Sequence, residues 1–130
     1  MVISIEAKKV SENKWVAYFD NGREKTQLDA LAWAIQATDL GAGEIYLMSV
    51  DQEGRGKGVD LELVNRVSEI ATVPLIVGGG IGKISHVFEI TDKCSIEGVS
   101  IAHALHYNVF KIGELKECSN DHDVIMRYSK

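Results

Sequence analysis

Pro74-Leu75-Ile76-Val77-Gly78-Gly79-Gly80-Ile81-Gly82 is the stretch on which the fold turns. A short apolar run opens at a proline, ends in three consecutive glycines and passes into a helix-like segment from Lys83. Glycines at those places let backbone N–H groups approach an anion with no side chain in the way. One such turn is a weak signal. It gains weight because Gly98-Val99-Ser100-Ile101-Ala102, another strand-like run, follows one strand–helix unit later and also breaks on a small residue. Neighbouring parallel strands ending in small residues predict a phosphate cradle at the C-terminal edge of the sheet, and hence a phosphorylated small molecule as ligand.

Working outward, the same alternation recurs. Val2-Ile3-Ser4-Ile5-Glu6 is a β-branched run, and Lys14-Trp15-Val16-Ala17-Tyr18-Phe19 is an excursion closed by the turn signal Asp20-Asn21-Gly22. Leu28, Leu31, Ala32 and Ile35 recur at helical spacing, and Leu40-Gly41-Ala42-Gly43 stops that helix. Glu44-Ile45-Tyr46-Leu47-Met48-Ser49 is the next strand, and Asp60 is a good N-cap for a helix carrying Leu61, Val64, Val67 and Ala71. The strand Pro74–Gly78 precedes a helix with Ile84, Val87 and Phe88, and Gly98–Ala102 precedes helical pieces around 105–109 and 112–118. Strand then helix, four times over, predicts parallel strands joined by right-handed crossovers. Their nearly unbroken apolar character predicts a sheet covered on both faces.

The fold class is therefore α/β: a parallel (βα)4 half-barrel of TIM-barrel type, with residues 1–130 as a single domain. A closed barrel of eight strands takes about 250 residues. An open half leaves its first and last strands with unpaired edges and exposes the side chains meant for a barrel interior. Completion by self-association or by a complementary N-terminal half is expected.

A net charge of −5 and a pI near 5.3 argue against nucleic acid, whose binders carry a basic face. No apolar run approaches a membrane span, and no charged-then-apolar start suggests a signal peptide. Cys94 and Cys118 stand apart with no CxxC, which predicts free thiols in a reducing cytoplasm. His103 and His106 lie three apart, but no third ligand supports a metal. No cofactor is implied.

With these motifs in place, the chain resembles the C-terminal half of the cyclase subunit of imidazole glycerol phosphate synthase, a histidine-biosynthesis enzyme. The resemblance is carried by Val2–Lys9, Asn21–Thr26, Leu40–Ile45, Ser49–Gly54, Pro74–Gly82, Leu105-His106-Tyr107 and Glu114-Leu115-Lys116, in order and nearly end to end. It implies a (βα)8 barrel of two similar halves, each with one phosphate cradle, closing an imidazole ring with ammonia from a glutaminase subunit docked on the opposite face.

Carried over by that resemblance, Glu6 takes the place of one of two catalytic carboxylates, one from each half. The phosphate site is expected at Glu53, Gly54, Gly79, Gly80, Ala102 and His103, with Lys8 and Asp51 in support. Asp51 also reads as an organiser of its own loop. Glu44, at the other end of its strand, falls on the glutamate of the family's ammonia gate; a bottom-face salt bridge is the plainer account. The family more often has aspartate at Glu6, threonine at Met48 and serine at Gly78, and small residues at Arg55 and His103. His106 is expected to face the core and His86 and His122 the solvent, while Trp15 and Trp33 read as packing residues. Gly80→Asp is expected to remove ligand binding with little effect on folding.

Overall fold

The fold is described from a computed structural model covering residues 1–127. The chain runs β1 (Val2–Ser11), β2 (Lys14–Phe19), β3 (Glu24–Asp29), α1 (Ala30–Asp39), β4 (Glu44–Ser49), α2 (Leu61–Ile70), β5 (Leu75–Gly78), α3 (Ile84–Lys93), β6 (Gly98–Ser100), α4 (His103–His106) and α5 (Ile112–Ser119), then one 3-10 turn. One six-stranded sheet holds them in the order β3-β2-β1-β4-β5-β6. β1, β4, β5 and β6 are mutually parallel, as the four strand–helix repeats predict. They form the half-barrel.

The excursion after β1 extends that sheet. β1 continues to Ser11 and folds back antiparallel onto β2, which pairs in turn with β3. The turn between β2 and β3 places Asp20, Asn21 and Gly22 at φ of 53°, 55° and 73°, a left-handed path that Asn, Asp and Gly tolerate best. Pairing of β2 with β1 begins at Glu6 and Tyr18, so β2 leaves the edge of Val2–Ile5 open. The outer edge of β6 is likewise unpaired within the sheet. The hairpin therefore shields part of the edge that the half-barrel was expected to leave bare.

Only one face of the sheet is covered by helices, which corrects the expectation of two. Ile5, Ala7, Ile45, Leu47, Leu75 and Val77 alternate onto that face and lie in one core with Leu63, Val64 and Val67 of α2 and Val87 and Ile90 of α3. Full burial of such a side chain is worth about 1.5–3 kcal/mol. The alternate positions Ser4, Glu6, Tyr46, Met48, Ile76 and Ser100 face the other way and remain half-buried or exposed. In a half-barrel that second face has no helix layer; only further strands could close over it.

α1 also departs from its predicted pattern. Its N-cap is Asp29, whose carboxylate accepts from the N–H groups of Leu31 and Ala32, both at 3.0 Å. The buried stripe is Ala30, Ala34 and Ala37, while Leu28 lies in β3 and Ile35 is 47% exposed. The bulk in this part of the core comes instead from Trp15 of β2, which is wholly buried. Its indole N–H donates to the Asp60 carboxylate at 2.7 Å, and the same carboxylate caps α2 by accepting from Leu63 N–H at 3.1 Å. The packing role expected of Trp15 and the cap expected of Asp60 are thus one junction. Lys9 reinforces it, lying over the Trp15 ring and pairing with Glu62 at 2.7 Å.

Cys94 and Cys118 are both free, and burial pushes the Cys94 thiol up from its ordinary value. Among the described residues no helix is long and apolar enough to cross a membrane.

Candidate functional site

At the C-terminal ends of the parallel strands the register sets Glu6, Met48, Gly78 and Ser100 in one row across β1, β4, β5 and β6. All four face away from the helices. Glu6 is held in that row by the hairpin: the N–H of Gly22 donates to its carboxylate at 2.6 Å. Gly22 must be glycine there, because its φ is +73° and a Cβ would stand 2.2 Å from Cγ1 of Val50. A charge-assisted bond of this length fixes the carboxylate while leaving its second oxygen available. Lys8 extends the same side of β1, its ammonium 5.5 Å from the centroid of the Tyr18 ring.

Beyond Gly78 the chain turns sharply. Gly79 and Gly80 take φ of 94° and 92°, and the Gly80 carbonyl accepts from the N–H of Gly58 at 2.8 Å. That bond packs the loop after β4 against the glycine loop. A Cβ on Gly80 would meet the Gly58 carbonyl oxygen at 2.3 Å. The expectation that Gly80→Asp would spare folding therefore fails. Even Gly80→Ala is expected to cost about 2–3 kcal/mol, from forced φ and backbone overlap, read as a lowered midpoint in urea. An unchanged midpoint would show that the loop relaxes freely.

A cavity of about 40 Å³ opens between these loops, lined by Tyr46, Met48, Glu53, Gly79, Gly80, Ile81, Ser100, Ala102 and His103. Five of the six residues expected at the phosphate site, Glu53, Gly79, Gly80, Ala102 and His103, thus meet around one space. Gly54 does not line it, and at φ +72° it has open space around it. The N–H of Glu53 is already engaged with the Ser49 and Val50 carbonyls, at 3.1 and 3.3 Å. Glu53 thus gives shape rather than a backbone donor, and its carboxylate is the one feature working against an anion. By contrast, no backbone hydrogen bond of the described residues uses the N–H of Gly79 or Gly80.

His103 carries the most telling atom. Among the described residues, its Nδ1 is the buried side-chain nitrogen or oxygen with no hydrogen-bond partner. An unsatisfied buried polar atom costs about 1–3 kcal/mol. The ring is steadied by Tyr107, centroids 4.6 Å apart.

The remaining candidates fall elsewhere. Asp51 organises its loop: its carboxylate faces the Ser49 hydroxyl at 3.4 Å, and its carbonyl accepts from Arg55 at 3.2 Å. Glu44 lies at the opposite end of β4, beside Val2, far along the strands from the Glu6 row. His106 is exposed, with its ring edge-on to Tyr107, rather than facing the core. His86 is half-buried against the glycine loop, its Nδ1 accepting from Gly82 N–H at 3.2 Å, and His122 stacks on Phe88 with centroids 3.8 Å apart. Among the described residues no group of three His, Cys, Asp or Glu could hold a metal ion. Gly22, Tyr46 and Ser100 were not read from the sequence as site residues. The one hint was an aromatic residue in a strand whose neighbour carries glycine at the next inward position.

Over 127 residues the chain is 37% identical to a Streptococcus mutans protein named imidazole glycerol phosphate synthase subunit HisF, covering 98% of this chain and 51% of that one. A Bacillus cereus protein of the same name is 39% identical over 127 residues, covering 98% of this chain and 50% of its own. The chain thus spans about half the length of the curated relatives it matches. The family model described as histidine biosynthesis protein matches residues 1–111, and the chain belongs to that family.

Proposed function

We propose that this chain supplies one half of an imidazole glycerol phosphate synthase cyclase barrel, contributing one phosphate site and one acid–base carboxylate. The reaction joins ammonia to phosphoribulosyl-formimino aminoimidazole carboxamide ribotide, closes the imidazole ring, and releases imidazole glycerol phosphate and aminoimidazole carboxamide ribotide. The observation that carries this reading is the glycine-walled cavity lined by Gly79, Gly80 and His103, beside Met48 and Ser100 of the row that also holds Glu6. Gly79 and Gly80 offer N–H groups to phosphate oxygens, and Ala102 leaves room for them. Glu6 moves a proton during ring closure, and its tie to Gly22 sets where that proton is delivered. The open edges of Val2–Ile5 and β6 are where a complementary half, or a second copy of this chain, would pair. In a symmetric pair Glu6 would appear twice across the mouth. Glu44, at the far end of the strands, faces the side on which a glutaminase subunit would deliver ammonia. We place the working enzyme in the cytoplasm.

The test is turnover of that substrate with excess ammonium, followed by its absorbance change, using the chain alone and then mixed with the N-terminal half of a relative. Turnover in either mixture above the protein-free rate supports the assignment. Bound phosphate ester with no turnover in either would leave a ligand-holding half-barrel that catalyses nothing.

A further inference from the structure

Tyr46 breaks the pattern of the open sheet face. It lies one row below Met48 on β4, between Ser4 and Ile76, yet its phenol reaches up into the row that holds Glu6 and Ser100. It can do so because Gly78 has no side chain: a Cβ there would stand 2.7 Å from the Tyr46 hydroxyl oxygen and 3.1 Å from its ring. The aromatic residue and the glycine are a matched pair across neighbouring strands. The hydroxyl then comes within 3.4 Å of the Ser100 hydroxyl, across β5. Well-made O–H···O bonds are shorter, about 2.7–2.8 Å, so this contact is weak. Tyr46 is the donor in this contact, so Ser100 keeps its own donor and both hydroxyls keep spare acceptor capacity. Both line the cavity that Gly79, Gly80 and His103 also line.

We propose that Tyr46 and Ser100 form a polar subsite next to the anion cavity, taking a hydroxyl or carbonyl oxygen on the carbon chain of a phosphate ester. An oxygen seated between them makes two bonds of ordinary length where the protein alone makes one long one. The preferred ligand is therefore a phosphate ester bearing an oxygen on a carbon close to the phosphate, in preference to inorganic phosphate. The subsite deepens the phosphate-site reading and rests on it.

Titration calorimetry of this chain with glycerol 3-phosphate and with inorganic phosphate tests it, in the wild type, Tyr46→Phe and Ser100→Ala. Both variants keep the local packing, and their melting curves check that they fold. The wild type is expected to bind glycerol 3-phosphate more tightly than phosphate. Each variant is expected to weaken glycerol 3-phosphate by about tenfold while holding phosphate within about twofold. Equal loss of both ligands, or loss of neither, would overturn the subsite and leave the anion cavity standing. Equal wild-type affinity for the two would do the same. A wild type that binds neither removes the anion cavity, and the subsite falls with it.

Discussion

Trp15→Ala is expected to cost about 3–5 kcal/mol of folding stability, the range for deleting a fully buried large aromatic side chain. The indole is wholly buried, joins the hairpin to the helix layer, and donates to the Asp60 carboxylate that starts α2. Its removal empties the part of the core where α1 offers only alanines. Trp15→Phe keeps most of the ring volume and is expected to cost less, with the loss of one hydrogen bond to a charged group worth about 1.5–3 kcal/mol. Urea denaturation followed by circular dichroism gives both values. Should Trp15→Ala cost less than about 1 kcal/mol, the hairpin is not anchored through this junction. Because the same hairpin carries Gly22, partial loosening of Trp15 should also free the Glu6 carboxylate.

Glu6→Gln is expected to lower cyclase turnover by about 10²–10⁴-fold, the usual weight of a positioned acid–base group, with phosphate affinity nearly unchanged. The substitution isolates the proton. A glutamine amide oxygen can still accept the Gly22 N–H, so the side chain stays in place, but it cannot exchange a proton at neutral pH. The measurement is the absorbance-followed rate of the assembled barrel, beside calorimetric phosphate binding. Loss of rate and affinity together would make Glu6 a structural residue. Glu6→Asp adds a geometric control: the carboxyl group is one methylene shorter and draws away from Gly22. A displacement of about 1 Å can cost about 10²-fold even when the group survives chemically.

Much of this molecule was legible along the chain because the signals are local. Asp60 reads as a cap since a short carboxylate satisfies helix N–H groups within its own turn. Asp20-Asn21-Gly22 reads as a turn, and Gly78-Gly79-Gly80 as a glycine turn that leaves backbone N–H groups open, since side-chain sterics act residue by residue. Strand–helix alternation and the half-barrel follow from such signals together with the handedness of parallel crossovers, whereas the residues around His103 were implied by the family resemblance.

What joins distant residues had to wait for the fold. Trp15 meets Asp60 across 45 positions, and Tyr46 meets Ser100 across 54, and neither pair carries any mark in the intervening sequence. The apolar strands looked covered on both sides because composition does not say which face meets helices and which meets only a future barrel interior. α1 looked like a leucine helix because size was counted without knowing that Trp15 already filled the space beside its alanines. The sequence by itself determined the order of the four parallel strands, the Asp60 cap and the glycine turn, all of which depend on local patterns along the chain. The tertiary structure alone decided the tie from Gly22 to Glu6 and the reach of Tyr46 over Gly78, because strand register and packing choose which atoms meet.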